Sequence, residues 1–368
     1  MKLTVNIARI VTGVLFIFSG LVKAIDPLGL AYKMQEFFEA WADDGFLKNL
    51  MNVFTQHALG FSVIMITLEV AVGTALLLGW QKRFISWVLF LLMLFFTFLT
   101  SYVLFSGKIR ACGCFGDCIP LSPRQTFTKD IILLFLSGLI LIKIRYITPL
   151  IKPLANTLLV LLAVAGALFL QFYVLRHLPL RDCLPYKKGN NLLELRMMPA
   201  DAIQDKFEYK FVYERGGSKK EFTPDALPDS TWNFIERKQV LIAAGKNNVP
   251  LINDFSLSDA NGVDLTDSIL SSTGNYYLLF MKEIPSDYVR WVRKLKTFTD
   301  KQVGKEPVYI ITSQRLAVLQ FIKTYGINVN GVYTTDGTAI KTAARVNPTI
   351  FYMHGPVVEE KQSWLDFK

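Results

Sequence analysis

The chain has 368 residues, of which 52% are hydrophobic and only 19% charged, with a formal net charge of +10. That length allows two or three domains, and so apolar a composition excludes an ordinary soluble protein, because part of the chain has to lie in lipid. The charge is uneven, with 18 Lys/Arg against 9 Asp/Glu up to residue 189 and 22 against 21 beyond it, so the basicity flanks apolar runs and suits anionic headgroups rather than nucleic acid.

Lys2 and Arg9 precede an apolar run, and residues 7–25 are long enough to span. Val22 and Ala24 also fit the small-residue positions before a signal-peptidase site, so removal of the first helix is a competing reading. Residues 26–60, around Tyr32-Lys-Met-Gln-Glu-Phe-Phe-Glu-Ala-Trp41, have apolar residues at helical spacing. They fit a helix lying on the membrane surface or an ordinary packed extramembrane helix. Residues 61–80 and 84–105 are the clearest spans, each matching about 30 Å of hydrocarbon. Only Gln81-Lys82-Arg83 separates them, and so tight a cationic hairpin belongs in the cytoplasm. Residues 127–147 form a fourth span, whose Lys143 and Arg145 can reach the same headgroups. Residues 154–174 form a fifth and carry the chain out again.

This topology puts all four cysteines on the extracytoplasmic side, where disulfides persist. Cys112, Cys114 and Cys118 share one short loop between apolar segments, and Cys183 follows the fifth span. Four cysteines permit three pairings. A Cys112–Cys114 bond closes a small, strained and therefore oxidising ring, whereas a bond from either to Cys118 or Cys183 is expected to be easier. Three readings stand side by side: thiol-disulfide exchange passing electrons to a membrane acceptor such as a quinone, two static staples, or a metal site. The spacing is not that of a zinc site, only His57, His177 and His354 are available, and no haem-attachment motif occurs. Arg110 is placed to favour a thiolate and Asp117 to oppose one.

Glu69 lies inside the second span, where a carboxylate is costly unless paired, protonated or open to a cavity. It could carry a proton to or from a quinone. An interhelical hydrogen bond beside the small Gly73 and Thr74 is the alternative.

The stretch Arg9-Ile-Val-Thr-Gly-Val-Leu-Phe-Ile-Phe-Ser-Gly-Leu-Val-Lys-Ala-Ile-Asp-Pro27, with the Glu69 span ending in Ala-Leu-Leu-Leu-Gly79, resembles the DoxX-like four-helix membrane proteins. The Cys112-Gly-Cys-Phe-Gly116 loop resembles the MauE branch, the methylamine-utilisation membrane proteins. That resemblance covers roughly residues 5–147. It implies disulfide chemistry in the maturation of a periplasmic enzyme, and its redox role falls on Cys112 and Cys114. Cys118 and Cys183 lie outside the matched motif and are left as resolving or structural cysteines. Nothing in the chain resembles a methylamine dehydrogenase.

Beyond the membrane, residues 185–191 read as a polar linker and 190–249 as a connecting segment with a β-hairpin, Glu208–Glu214 turning at Arg215-Gly-Gly-Ser and returning at Lys219–Thr223. Then strands and helices alternate: a strand at 276–281, a helix at 286–302, a strand at 308–313, a helix at 314–325 and strands at 347–353 and 356–360. Such alternation implies a mixed α/β sheet. This order, with Asn347-Pro348-Thr349 at the place of a cis-proline corner, resembles the thioredoxin fold over residues 250–368. The resemblance departs where thioredoxins carry C-x-x-C, since Lys282-Glu-Ile-Pro-Ser-Asp287 holds no thiol. The expected architecture is therefore an all-α bundle of about five spans, with residues 1–150 as a four-helix domain and 151–178 as a fifth helix. An extracytoplasmic α/β thioredoxin-like domain follows, its Pro348 and Thr349 face docking a partner. The expected setting is a bacterial inner membrane with the last domain in the periplasm. Two functions remain: thiol-disulfide exchange with an extracytoplasmic protein, or a stapled scaffold that binds an envelope protein.

Overall fold

The computed structural model describes residues 1–368 apart from 110, 111, 244, 285–287, 367 and 368. Its first half is helical: α1 (Lys2–Ala24), α2 (Pro27–Asp43), α3 (Lys48–Gln56), α4 (Ala58–Leu78), α5 (Lys82–Ser106), α6 (Pro123–Ile142) and α7 (Pro153–His177). Of these, α1, α4, α5, α6 and α7 are long and apolar enough to cross a membrane, in agreement with the five expected spans.

Local chemistry sets the helix ends. Asp26 caps α2 through the Gly29 N–H, with Pro27 in the first turn, and Ser122 and Gln125 form a capping box at the start of α6. Gly79, in the left-handed region at φ 70°, ends α4. Arg9 is buried and donates from Nε to the Leu76 carbonyl at 2.8 Å and from Nη1 to Thr148 O at 3.2 Å, with a third contact to Leu77 O. It thereby occupies carbonyls that the last turn of α4 leaves without an internal donor. Lys82 donates to Ile147 O at 2.8 Å. These contacts gather the start of α1, the α4–α5 hairpin and the turn before α7 at one end of the bundle. The cysteine loop, α2, α3 and everything after α7 lie at the other.

The first helix packs into the bundle along α4. Glycines let α1 and α4 approach closely: a Cβ on Gly73 would sit 2.8 Å from Gly13 O and 3.0 Å from Ile17 N, and one on Gly20 3.2 Å from Val70 N. Small residues at such crossings supply van der Waals packing where lipid removes the hydrophobic drive. The amphipathic segment resolves into α2 and α3, which pack on each other and on α4.

The second half opens with α8 (Leu192–Arg196) and a three-stranded antiparallel sheet of β1 (Lys206–Arg215), β2 (Ser218–Phe222) and β3 (Asn233–Ala243), in the order β2-β1-β3. The β1–β2 hairpin is the expected one. The third strand is an addition, since charged Glu236-Arg-Lys238 interrupts its apolar pattern and β3 is exposed throughout. After α9 (Thr266–Leu270) come β4 (Asn275–Phe280), α10 (Val289–Gln302), β5 (Val308–Thr312), α11 (Arg315–Tyr325), β6 (Gly331–Thr334), α12 (Gly337–Ala343), β7 (Thr349–His354) and β8 (Val357–Ser363). They build a sheet in the order β6-β5-β4-β7-β8, parallel among β4, β5 and β6 and antiparallel from β7 onward. Asn347–Pro348 is cis and leads into β7. One face of the sheet buries Trp291, Leu295 and Phe321 from α10 and α11, and the other buries Leu257, Leu270 and Ile340. This is the thioredoxin-like α/β domain, with β6 and α12 as elements too short to show a period in the sequence.

Residues 185–191 do not behave as a free linker. Tyr186 and Leu192 are buried in the sheet's core, and the Gly189 and Leu192 N–H groups donate to Val358 O and Pro356 O. The polar composition of the segment hides one aromatic anchor and an edge of hydrogen bonds, and these fix the domain directly to the end of α7.

The α1–α4 contact predicts that Gly73→Ala lowers stability by about 1–3 kcal/mol, the usual cost of overpacking. Denaturant-titrated unfolding in micelles would check this, with exposed Gly60→Ala as the unaffected control.

Candidate functional site

The loop between α5 and α6 folds back on itself at two glycines in the left-handed region, Gly113 (φ 70°) and Gly116 (φ 59°), with the Gly116 N–H donating to Gly113 O at 2.9 Å. Only glycine adopts such values without cost. The turn sets Cys112 and Cys114 side by side as free, half-buried thiols whose sulfurs share a hydrogen bond across 3.6 Å. Cys118 and Cys183 form a disulfide with Cα atoms 5.0 Å apart. The expectation that Cys112 or Cys114 bridges more readily to Cys118 or Cys183 is thus corrected: the end of α7 brings Cys183 to Cys118, and the Gly113 turn keeps the other two together.

Cys112 and Cys114 close one end of a cavity of about 320 Å³ lined by α1, α2, α3, α4, α5 and α6. Its walls are apolar and aromatic, with Phe37, Phe38, Trp41, Phe54 and Phe96 prominent. Two buried ionic groups face it. Glu69 pairs with Lys23 of α1, Nζ standing 2.5 and 2.8 Å from the carboxylate oxygens, both side chains being almost fully enclosed. Asp130 of α6, 1% exposed, accepts from Lys129 on Oδ1 at 2.5 Å, while its Oδ2 has no hydrogen-bond partner among the described residues. Ser19 Oγ lies 2.9 Å from Glu69 Oε2 and 3.0 Å from Cys114 O. A continuous polar path therefore runs from Lys23 through Glu69 and Ser19 to the backbone of the thiol turn.

The electrostatics make the two thiols unequal. The hydrogen bond from Cys112 holds the Cys114 thiol below its ordinary value against burial, and the Lys129 ammonium adds to the effect. The same hydrogen bond, with burial, pushes Cys112 well up. Of the two, Cys114 is the thiol that gives up its proton more readily. Arg110, expected to favour the thiolate, lies outside the described residues. Asp117, expected to oppose it, is held at 2.9 Å by Arg345 of the last domain. Lys129 is the cation that the sequence reading misses.

Lys23 and Ser19, the partners of Glu69, are missed as well, because nothing in a single sequence tells which helix faces Glu69. Asp130 carries the same signal as Glu69, an acid within a span, and was open to detection. The expected docking residues are closed off: Pro348 and Thr349 are buried, and Thr349 Oγ1 donates to Val346 O at 2.5 Å. Their loop faces the chain's own membrane end through Arg345. Asn347 is engaged too, accepting from the Lys282 N–H and donating to Glu283 O. Of the stretch that replaces C-x-x-C, residues 285–287 lie outside the described residues. His57, His177 and His354 are far apart in the fold and individually bonded, to Val53 O, Asp366 and Asn275.

Fold and site together define an integral membrane protein with a free thiol pair at one end of a helical bundle, covered by a thioredoxin-like domain without cysteine. Residues 1–143 match the family model Methylamine utilisation protein MauE, so the membrane half is MauE-like. Residues 207–244, the second and third strands included, match a Domain of unknown function (DUF8463). Protein TlpB of Flavobacterium psychrophilum is 39% identical over 79 residues, which are 21% of this chain and 22% of that protein. The chain thus aligns with about a fifth of that curated relative. Among solved structures, a DsbF homologue from Corynebacterium diphtheriae is matched at 18% identity over 30% of this chain and 74% of its own, with a TM-score of 0.22.

The inequality of the thiols predicts the order of their alkylation. Followed against pH by mass spectrometry in micelles, iodoacetamide is expected to label Cys114 at lower pH than Cys112. Cys112→Ala removes the hydrogen bond that favours the thiolate, so it should move the Cys114 profile to higher pH.

Proposed function

We propose that this protein is a membrane thiol-disulfide oxidoreductase whose exchanging pair is Cys112 and Cys114, with the thiol end of the bundle on the periplasmic side of an inner membrane. The observation that carries the reading is the position of Cys114. It lines both the apolar chamber and an adjoining groove of about 100 Å³ beside Gly116, Asp117 and Pro120. A partner protein's thiol can approach from the groove while an apolar acceptor approaches from the chamber. The orientation is supported by Lys82, Arg83, Lys143 and Arg145, which sit at the opposite end.

The chemistry runs in the oxidising direction. A partner thiolate attacks the Cys114 sulfur of a Cys112–Cys114 disulfide, and Cys112 leaves and takes up a proton. The partner's second thiolate then displaces Cys114, giving an oxidised partner and the reduced pair. Cys114 is suited to leave because its thiolate is stabilised, and stabilising the reduced form makes a disulfide oxidising. Regenerating the bond releases two electrons and two protons. The chamber fits a quinone as their acceptor, a flat apolar ring among aromatic walls, with Lys23 able to donate to a carbonyl oxygen and the open Asp130 oxygen able to hold a proton. When bound, a quinone would supply a two-electron, two-proton sink. Cys118 and Cys183 are assigned the static role, so the two functions foreseen for the cysteines divide between the two pairs.

Thiol trapping in intact cells tests this reading. Acid quenching followed by a mass-adding maleimide should show two labelled states interchanging on brief oxidation or reduction. Cys112→Ser and Cys114→Ser should each abolish the interchange, because neither variant can close the exchanging bond. Four cysteines that keep one state throughout would leave only the stapled scaffold.

The buried ion pair predicts a second effect. Glu69→Gln strands the Lys23 charge and should cost about 3–5 kcal/mol of stability, the usual cost of breaking a buried pair from one side. Glu69→Gln with Lys23→Met should recover most of that loss. Unfolding in micelles measures both.

A further inference from the structure

The thiol loop is anchored from the far end of the chain. Arg345, in the loop between α12 and β7, lies 319 residues after Asp26 and 228 after Asp117 and joins them both: its Nε donates to Asp26 Oδ2 at 2.8 Å and its Nη2 to Asp117 Oδ2 at 2.9 Å. Its third nitrogen, Nη1, donates to Lys341 O at 2.6 Å, and its guanidinium lies 5.3 Å from the ring centre of Tyr32. The Arg345 side chain is 5% exposed against 19% for Asp26 and 37% for Asp117, so solvent screens the Asp26 contact less than the Asp117 contact.

The two carboxylates come from different elements and have been brought close. Asp26 caps α2, and Asp117 sits between Cys114 and Cys118. Both crowd Gly29, where a Cβ would stand 2.8 Å from Asp26 Oδ2 and 3.3 Å from Asp117 Oδ2. Burial pushes the Asp26 carboxyl up, Arg345 lowers it and Asp117 raises it again. Two neighbouring anions stay together only with a counter-ion between them. A second buried pair, Lys361 with Asp182 at 2.6 Å, joins the same domain to the residue before Cys183, and the Cys118–Cys183 bond fixes the loop's other end.

We propose that Arg345 is a positioning residue for the thiol pair: the cysteine-free domain supplies the counter-ion that seats Asp117 beside Asp26 and so holds the Cys112–Cys114 turn over the chamber. The thioredoxin-like domain acts in cis on its own membrane partner, and its cis-proline side is the docking face. Without Arg345 the two carboxylates repel, Asp117 swings away from α2 and the turn three residues before it opens toward the groove. The consequence for catalysis rests on the thiol-exchange reading, whereas the positioning itself does not.

The experiment uses the full chain in nanodiscs, reduced at Cys112 and Cys114 with Cys118–Cys183 intact. It reads two quantities: the alkylation rate of the pair by a bulky, charged maleimide, and the pair's redox equilibrium in glutathione buffers. Arg345→Gln is expected to speed alkylation by about tenfold and shift the equilibrium, a size typical of coupled residues. Arg345→Lys should restore part of both. Asp117→Asn approaches the contact from the loop and keeps the test open if Arg345→Gln folds poorly. In the Asp117→Asn background Arg345→Gln should add little. Lys361→Gln is the comparison, since it weakens the other interdomain pair without touching the turn, and it should leave alkylation near the parent rate. Unchanged rates and equilibrium in both Arg345→Gln and Asp117→Asn overturn the assignment, as does an equal effect from Lys361→Gln. Because alkylation needs neither partner nor acceptor, a pair that never cycles in cells would remove the exchange reading and leave this measurement standing.

Discussion

The arrangement depends on a buried carboxylate that must be paired. Glu69 sits in a lipid-crossing helix, where an isolated charge costs several kcal/mol, and Lys23 is the group that answers it. To bring Lys23 there, α1 has to lie against α4 along its length, which the glycines at 13, 20 and 73 permit. With α1 in that place, Ser19 reaches Glu69 and the carbonyl of Cys114 together. The same ion pair that joins two helices therefore fixes the height of the thiol turn above the chamber. Arg9 does the matching work at the other end of α1, where it closes α4 on its open carbonyls.

The spans were legible because their signal is length and apolarity, properties that belong to one segment at a time. The cysteine loop was legible for a related reason, since Cys112, Cys114 and Cys118 are close in sequence, but their pairing was not, because it depends on Cys183 from beyond the fifth span. What the sequence hid is whatever depends on a second segment. Lys23 reads as a flank of the first span until α4 is placed beside it. Arg345 reads as one more cation near the end of a helix until Asp26 and Asp117 are found around it. Tyr186 looks like part of a polar linker because its hydrophobic partner, Phe255, lies 69 residues away. The strands β3 and β6 escape for a different reason, the first because exposed charges break its alternation and the second because four residues carry no usable period.

A thioredoxin-like domain without cysteine keeps the part of the fold that does not need sulfur. In this chain the loop at the end of β4 and the turn before Pro348 are tied by Asn347, and together they present Lys282, Lys341 and Arg345 around the ring of Tyr32 on α2. Cations over an aromatic face, backed by a guanidinium between two carboxylates, make a polar joint suited to the surface of a membrane domain. The face that would meet a substrate in a thiol reductase has become the face that meets the rest of the molecule. On the proposed exchange reading, partner recognition would come from elsewhere, with the groove beside Cys114 as the place where a foreign thiol could reach the turn.

The division of the cysteines into two pairs follows from this joint. Cys118 is four residues from Cys114 and would otherwise be a competing resolving thiol, able to trap the exchange in a larger ring. Its bond to Cys183 removes that choice and ties the loop to the segment that carries the outer domain. Cys112 is left as the nearest free sulfur to Cys114, and on the proposed exchange reading it is the thiol that leaves when a partner attacks. The exchanging bond would then span a single turn of three residues, whose small ring disfavours the closed disulfide relative to the free thiols. On the proposed exchange reading, a pair built in that way would give up its bond readily to a partner protein and need a strong acceptor to form it again. The apolar chamber beneath the pair is the space that this reading offers to such an acceptor.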